Sequence, residues 1–485
     1  MAKSKSTKLQ GNSSVWKSRN RCLIILPDQG APRKVSLQQL GIESRDRSWN
    51  AHADNFLRAN DAYLRALDIE LVFSSTPNEL QMSLKPNGVV GAVPLKAPDT
   101  HRIIGGIIVS PRFGWNSIGS LFSSIGWSAS PEILSNPLVP GSATEIPGWV
   151  VAGPAVAQLE SLLKYSGPRF REITDVRSSP RGQIVWPKYC SNQVARGNLH
   201  LLPCVFSDLD VDYQLRRYIR WTLEKIGNDL SIFCTADFFA AQLFARVQAL
   251  LMTLTSIQPL LPDHRSLDSM ERTMRQRLPN KNLGFDSIRW ILDERGLGGN
   301  TDLDGLSWRI RMHELFEQWV ESLVRKWARG FGGKVTTGRK FDSLAAIRWD
   351  RAGVKSLSSL IPDVVVQGAN ETFIFDAKYK GFLDEVDELR WRESSELMRD
   401  EHRHDIHQVL AYSSLYNCTN VTAVLVYPVS FSTWERLLEK NGVVSLGTVD
   451  GPGRQIRVAL VGVPIELKNG VTPSSIVESF QRLRE

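Results

Sequence analysis

From about residue 22 the chain sets short apolar runs between turn-forming clusters. CLIIL, IELVF, RIIGGIIVS and GWVVAG are separated by Gly, Pro, Asn and Asp, which predicts short strands joined by turns and a β-rich N-terminal domain over residues 22–175. The period then changes. In DYQLRRYIRWTLEKI, Leu215, Tyr218, Ile219 and Leu223 recur at helical spacing. DFFAAQLFARVQALLMTL reads as a second, more buried helix and residues 287–293 as a third, so residues 176–299 are expected to form a helical middle domain. The glycine-dense ERGLGGNTDLDG marks the next boundary. Beyond it, WRIRMHELFEQWVESLVRKW predicts one long helix with Leu315, Trp319, Leu323 and Trp327 along one stripe. A basic stretch and a short strand in LAAIRWD come next, then two strands, IPDVVVQ and ETFIFDAKYK. A charged excursion, expected as a solvated insertion, leads to a helix around DIHQVLAYSSLY and a strand at VTAVLVYPV. This order of helix, strands, helix and strand predicts an α/β domain over residues 300–485. The basic residues 1–21 are followed by no apolar segment and read as a disordered arm rather than a signal peptide.

A length of 485 residues predicts roughly two to four domains. Hydrophobic content of 42% with 14 Trp excludes global disorder. Cys22, Cys190, Cys204, Cys234 and Cys418 are scattered and contain no C-x-x-C pair, which excludes a disulfide framework or a zinc ribbon and fits a reducing compartment. Lys and Arg outnumber Asp and Glu by 59 to 51, an excess that permits a polyanionic partner. The uncharged residues 113–131 are rich in Ser and Gly, and the apolar residues 238–261 contain Arg246, which hydrocarbon penalises by about 2.5–3.5 kcal/mol. No membrane segment is expected, and the chain is read as cytoplasmic.

The chemistry concentrates in IPDVVVQGANETFIFDAKYK. Strand side chains alternate, so Asp376 and Lys378 point one way and Ala377 the other. A short turn folds the Pro362–Asp363 strand back and brings Asp363 beside Asp376. Two carboxylates with an ammonium close by suit Mg²⁺, a hard cation that takes one or two carboxylates and keeps several waters, with Mn²⁺ as a substitute. The Ala377 carbonyl offers a further oxygen, and Lys378 is placed to orient a water or offset developing charge. On the preceding helix Glu314 and Glu317 lie three apart and share a face. On the later helix Asp405, Gln408 and Tyr412 share a face, where an amide and a phenol can hold the lysine or a phosphate by hydrogen bonds. Residues 325–340 carry six basic residues and no acid, a pattern suited to phosphate contacts that position DNA without reading its sequence.

Pro362-Asp363 and Asp376-Ala377-Lys378, in this order of elements, resemble the PD-(D/E)xK phosphodiesterases. The resemblance implies an αβββαβ nuclease core that hydrolyses nucleic-acid phosphodiesters with a divalent metal. Asp363 and Asp376 would be metal ligands and Lys378 the catalytic lysine. Within that superfamily the chain looks most like McrC-type subunits of modification-dependent restriction systems, through Leu315-Phe316-Glu317, Pro362-Asp363, residues 376–380, and Gln408 with Tyr412. That pattern favours Glu317 over Glu314 as the helix acid at the metal site. RGQIVWPKYC and GGIIVSPRFGWNSIGSLFSSIGW also resemble segments of that family. The family works with a separate AAA+ NTPase, and this chain has no G-x-x-x-x-G-K-[ST] motif, since Val335 follows Lys334 in GFGGKVTT.

The expected activity is therefore that of a Mg²⁺-dependent DNA endonuclease subunit of a restriction or antiphage system. Its expected partners are double-stranded DNA and an AAA+ motor, with the N-terminal domain binding partner or DNA. A double-strand break would need two copies, as a homodimer or a higher assembly. Two rivals are a catalytically inactive DNA-binding adaptor that stimulates the partner NTPase, and a stand-alone structure-specific repair nuclease. The complete set of acids and lysine argues against the first, and the long N-terminal half against the second.

Overall fold

The computed structural model describes residues 14–18, 21–36, 49–76, 79–127, 129, 131–134, 139, 146–167, 169–210, 213–277, 284–293, 307–350, 357–388, 396–416, 418, 420–451, 454–468 and 471–485. The fold is α/β, in two compact units: Met1–Val150 with Asn300–Glu485, and Val151–Gly299. The C-terminal residues thus share a unit with the N-terminal ones, whereas the sequence reading made them separate domains.

In the first unit, β1 (Ser14–Ser18), β2 (Arg21–Pro27), β6 (Val89–Lys96), β7 (Ile103–Ser110), β8 (Glu132–Ile133) and β12 (Trp308–Arg311) form one sheet, ordered β1-β2-β7-β6-β12-β8. Only the β2–β7 pair is parallel. A second sheet, β3-β5-β4, uses β3 (Arg33–Ser36), β4 (Ile69–Thr76) and β5 (Glu79–Pro86). Helix α1 (Trp49–Ala66) packs on β4 and β6, burying Phe56, Leu64 and Leu67 with Leu26, Met82 and Val93. Two expectations change here. Residues 14–18 lie in a strand rather than an arm, and the β-rich region also contains α1 and α2 (Trp115–Ser124).

The same unit holds a six-stranded sheet ordered β13-β16-β17-β18-β20-β19. Its members are β13 (Lys334–Thr337), β16 (Val364–Gln367), β17 (Glu371–Ala377), β18 (Asn420–Val429), β19 (Val444–Gly451) and β20 (Arg454–Pro464). β13, β16 and β17 run antiparallel, while β18 is parallel to both β17 and β20. Helix α9 (Met312–Arg329) packs on β13, β16 and β17, and α11 (Glu396–Ser413) on β17 and β18. α10 (Phe382–Glu388) packs on β18, α12 (Phe431–Glu439) on β20, and α13 (Pro473–Ser479) on α9. β14 (Ala345–Ala346) and β15 (Ser359–Leu360) pair separately.

The strand alternation of β17 assigns its two faces. Phe373 and Phe375 meet Trp327 of α9, with ring centroids 4.9 and 5.7 Å away. Ile374 packs instead with Val409 and Tyr412 of α11. All four residues of the predicted α9 stripe, Leu315, Trp319, Leu323 and Trp327, are buried. The helix begins at Met312, however, because Trp308–Arg311 joins the N-terminal sheet as β12, beside β6. The predicted solvated excursion is also partly buried, since Phe382 at the start of α10 is buried and its ring stacks on His402 at 3.9 Å.

The second unit takes up most of α3 (Trp149–Tyr165), together with the sheet β10-β11-β9 and five further helices. β9 (Arg169–Arg177), β10 (Gln183–Ile184) and β11 (Leu202–Asp210) are antiparallel. The helices are α4 (Trp186–Lys188), α5 (Gln214–Ser231), α6 (Phe238–Met252), α7 (His264–Arg277) and α8 (Phe285–Leu292). This region is therefore mixed rather than purely helical. GWVVAG, expected as a strand, opens α3. Its residues 149–156 are all buried, and a continuous apolar run does not distinguish a buried helix from a buried strand. α6 is less buried than expected, with Phe238 and Met252 73% and 74% exposed.

Candidate active site

The register places Val364 opposite Phe375, so the residues flanking them, Asp363 and Asp376, meet at one end of the β16–β17 pair. Asp363 is anchored there by its own side chain, whose Oδ2 accepts a hydrogen bond from the Ala377 amide at 2.8 Å. Asp376 is 2% exposed and points to the α11 side with Ile374. Its Oδ2 lies 2.7 Å from the Lys378 Nζ. Backbone pairing continues past the strand, as the Lys378 amide donates to the Val426 carbonyl at 2.8 Å, so Lys378 keeps the same side.

α11 completes the arrangement. Lys378 Nζ donates to Gln408 Oε1 at 2.8 Å, and Gln408 Nε2 donates to the Tyr412 hydroxyl at 2.8 Å. The ammonium, which can only donate, turns the amide oxygen toward itself and leaves the amide nitrogen for the phenol. Asp405, one turn earlier, is buried, holds Lys380 Nζ at 3.0 Å and accepts from the Tyr427 hydroxyl at 3.1 Å. Of Asp405, Gln408 and Tyr412, the first and last are buried and Gln408 is exposed.

The electrostatics follow from this crowding. Burial raises the Asp363 carboxyl well above its ordinary pKa, and repulsion from Asp376 and Glu317 adds to the rise, with the Ala377 amide and Lys378 opposing it. Burial works against the Lys378 ammonium, but Asp376, Asp405 and Asp363 outweigh it, so its pKa lies above the usual lysine value. Of the two candidate helix acids, Glu314 is exposed and paired with Arg311 at 2.9 Å, while Glu317 is drawn into the site. Its pKa is raised to about 7, chiefly by burial, with Glu321, Glu314 and Asp376 adding and Arg339 opposing.

Glu317 gives a first prediction. Its folded pKa of about 7 exceeds the ordinary 4.5, so the stability tied to its protonated form is complete below about pH 4.5 and lost as pH rises through 7. Metal-free protein should lose ~1–2 kcal/mol over that window, a figure discounted because the side chain is only half-buried. Thermal denaturation in EDTA checks this, and Glu317→Gln should flatten the pH dependence. An identical slope in that variant would overturn the assignment.

The sequence-predicted set thus converges: Asp376, Lys378 and Gln408 are linked by an ion pair and a hydrogen bond, Asp363 is bonded to the Ala377 amide, and Glu317 is coupled to both aspartates by charge. Among the described residues, no group of three or more His, Cys, Asp or Glu side chains is placed to hold a metal ion. Part of the basic stretch is neutralised, with Arg325 and Arg339 at 2.8 and 3.5 Å from Glu321. The Asp405–Lys380–Tyr427 network was missed, although Lys380 continues the Asp376–Lys378 alternation. No helix among the described residues is long and apolar enough to cross a membrane.

Comparisons with known proteins bear on this arrangement. The family model described as McrBC 5-methylcytosine restriction system component matches residues 156–428, a span that includes Glu317, both aspartates, Lys378 and Gln408. No curated protein matches the chain. Among solved structures, it is similar to a refined half-complex from a tetradecameric assembly of Thermococcus gammatolerans McrB AAA+ hexamers with bound McrC. The identity is 13%, covering 95% of this chain and all of that one, with a TM-score of 0.41. A cryo-EM structure of the Thermococcus gammatolerans McrBC complex is 12% identical over 63% of this chain and 88% of that one, with a TM-score of 0.28. With more than half of its length matched by the family model, the chain belongs to the McrBC 5-methylcytosine restriction system component family.

Proposed function

We propose that this chain is the Mg²⁺-dependent DNA endonuclease subunit of its restriction system, with a PD-(D/E)xK core. The observation that carries the proposal is the convergence of Asp363, Asp376 and Lys378 at one end of the β16–β17 pair. The surrounding order supports it: α9, the antiparallel β13, β16 and β17, then α11 and the parallel β18 make the αβββαβ succession of such nucleases.

The donors present fit Mg²⁺. Two adjacent carboxylates, one of them strongly disfavoured as an anion by burial and by its neighbour, call for a cation, and all their ligating atoms are hard oxygens. Asp363, Asp376 and the Ala377 carbonyl would hold it, with Glu317 reaching it through water. When bound, it supplies Lewis acidity and a lowered pKa for water. The remaining work falls to the chain. Asp376 and Gln408 hold the Lys378 ammonium in place, and its raised pKa keeps it charged at neutral pH, so it presents a fixed positive charge to a phosphate oxygen. A cleft of about 230 Å³ along the first turns of α9 is lined by Arg309, Arg311 and Arg339 together with Glu132 and Glu314. Each arginine is already paired with a glutamate, so DNA phosphates would have to compete for these guanidinium groups.

Nucleotide hydrolysis is assigned to a separate AAA+ partner, since the sequence contains no phosphate-binding loop motif. A double-strand break then requires two sites, supplied by pairing of complexes. The test is cleavage of duplex DNA by the chain with its partner. Cutting should appear with Mg²⁺ or Mn²⁺ and disappear in EDTA, and cutting that survives EDTA would refute the metal assignment.

A further inference from the structure

One buried polar cluster is not used by this chemistry. Tyr379 follows Lys378 and so projects to the opposite side, toward α9. Its ring is buried against Phe316, 6.0 Å between centroids, the residue before Glu317. Its hydroxyl donates to Asp28 Oδ2 at 2.7 Å, and Asp28, just past β2, is fully buried. The Arg112 amide donates to Asp28 Oδ1 at 2.9 Å, and Arg112 Nη1 to Gln29 Oε1 at 2.7 Å. The Arg112 guanidinium lies 4.8 Å from the centre of the Tyr379 ring. Gln29 Nε2 in turn donates to the Tyr379 carbonyl at 2.7 Å.

The residue after Lys378 is therefore held by its hydroxyl, its ring and its carbonyl. All three grips come from the segments that follow β2 and β7. A second tie leaves the same cluster. Gly88 donates its amide to the Asp28 carbonyl at 2.8 Å and accepts from the amide of Met312, the first residue of α9, at 3.0 Å. Its φ of +84° is one that residues with side chains rarely adopt. One cluster thus touches both the strand extension bearing Lys378 and the helix bearing Glu317. A buried carboxylate and guanidinium are a costly way to glue two sheets, and apolar residues of the same volume would often serve stability as well. What the hydrogen bonds of Asp28, Gln29 and Tyr379 add is one defined geometry, while the Nε and Nη2 of Arg112 are buried there with no hydrogen-bond partner among the described residues.

Resting on the nuclease reading, we propose that Asp28, Gln29 and Arg112 form a positioning site that sets Lys378, through Tyr379, relative to α9, so that cleavage depends on the N-terminal sheet. The grip on Tyr379 limits where the ammonium of Lys378 can sit, and misplacement by about 1 Å costs on the order of 10²-fold in rate.

The test uses the full chain and two variants, Tyr379→Phe and the milder Gln29→Ala. Amide hydrogen exchange is measured without metal or DNA, and cleavage rate in Mg²⁺ is compared with duplex affinity in EDTA. In both variants, exchange across residues 376–381 should quicken about tenfold while β18 stays protected, because the opening is local. Cleavage should fall at least about tenfold with affinity changed less than about twofold. Unchanged exchange at 376–381, or equal loosening of β18, would overturn the proposal by reducing the cluster to packing. Cleavage is measured with the AAA+ partner present; if the wild type does not cut even then, the nuclease reading fails and the exchange measurement alone decides the positioning role.

Discussion

Asp376→Ala is expected to abolish DNA cleavage, by at least roughly 10²–10³-fold, while the chain stays folded. Asp376 provides one of the two adjacent carboxylates and orients Lys378 at 2.7 Å, so its removal takes away a metal ligand and the lysine's anchor together. Folding should survive, because Lys378 keeps Gln408 at 2.8 Å and Asp363 is relieved of a repelling neighbour. Asp363→Asn should be equally inactive and, in EDTA, should melt at a higher temperature than the wild type. The sign follows from the raised pKa of Asp363. A carboxyl whose folded pKa exceeds its unfolded one contributes its stability at low pH and loses it as pH rises, so at neutral pH the wild type carries the charging penalty. Asparagine removes the charge and keeps an oxygen for the Ala377 amide. Mg²⁺ should then raise the melting temperature of the wild type and of neither variant, by mass action on the folded state. Undiminished cutting by Asp376→Ala would sink the assignment.

What could be read from the sequence was what local rules decide. Asp363, Asp376 and Lys378 were placed by strand alternation and one tight turn. Gln408 and Tyr412 were placed by helical spacing. The misreadings fall where partners are distant or one residue breaks a pattern. Trp308–Arg311 continued the apolar period of α9 and was taken into the helix, yet its partner β6 lies over 200 residues earlier. α1 escaped notice because Asn60 interrupts its apolar stripe. Asn60 is fully buried and instead pairs with the Lys96 backbone, accepting from its amide at 2.8 Å and donating to its carbonyl at 3.0 Å. Tyr379 stood in plain view within DAKYK, but its partner Asp28 is 351 positions away, and nothing in the local pattern connects them. The chemistry of the site was therefore legible before the scaffold that holds it.

That scaffold gives the second large effect. Trp327→Ala should destabilise the protein by about 3–5 kcal/mol, a large part of the roughly 5–15 kcal/mol typical of a domain. Trp327 is 1% exposed, and its ring lies 4.9 Å from both Phe331 and Phe373, 5.7 Å from Phe375 and 6.4 Å from Phe480. It joins α9 to the back of β17 and to the C-terminal segment, and no smaller residue spans all four contacts. Trp327→Phe should cost far less. The indole Nε1 is buried with no hydrogen-bond partner among the described residues, so replacing the ring with phenylalanine sacrifices area but no hydrogen bond. Thermal or urea denaturation gives both values, and equal losses for the two variants would refute the packing argument. Activity separates this effect from loss of the site. Phe373 and Phe375 face Trp327 while Asp376 projects from the other side of the strand, so the alanine variant still carries every proposed metal ligand. Its cleavage should fail at growth temperature and recover on cooling as the folded fraction returns. Asp376→Ala should stay inactive at every temperature.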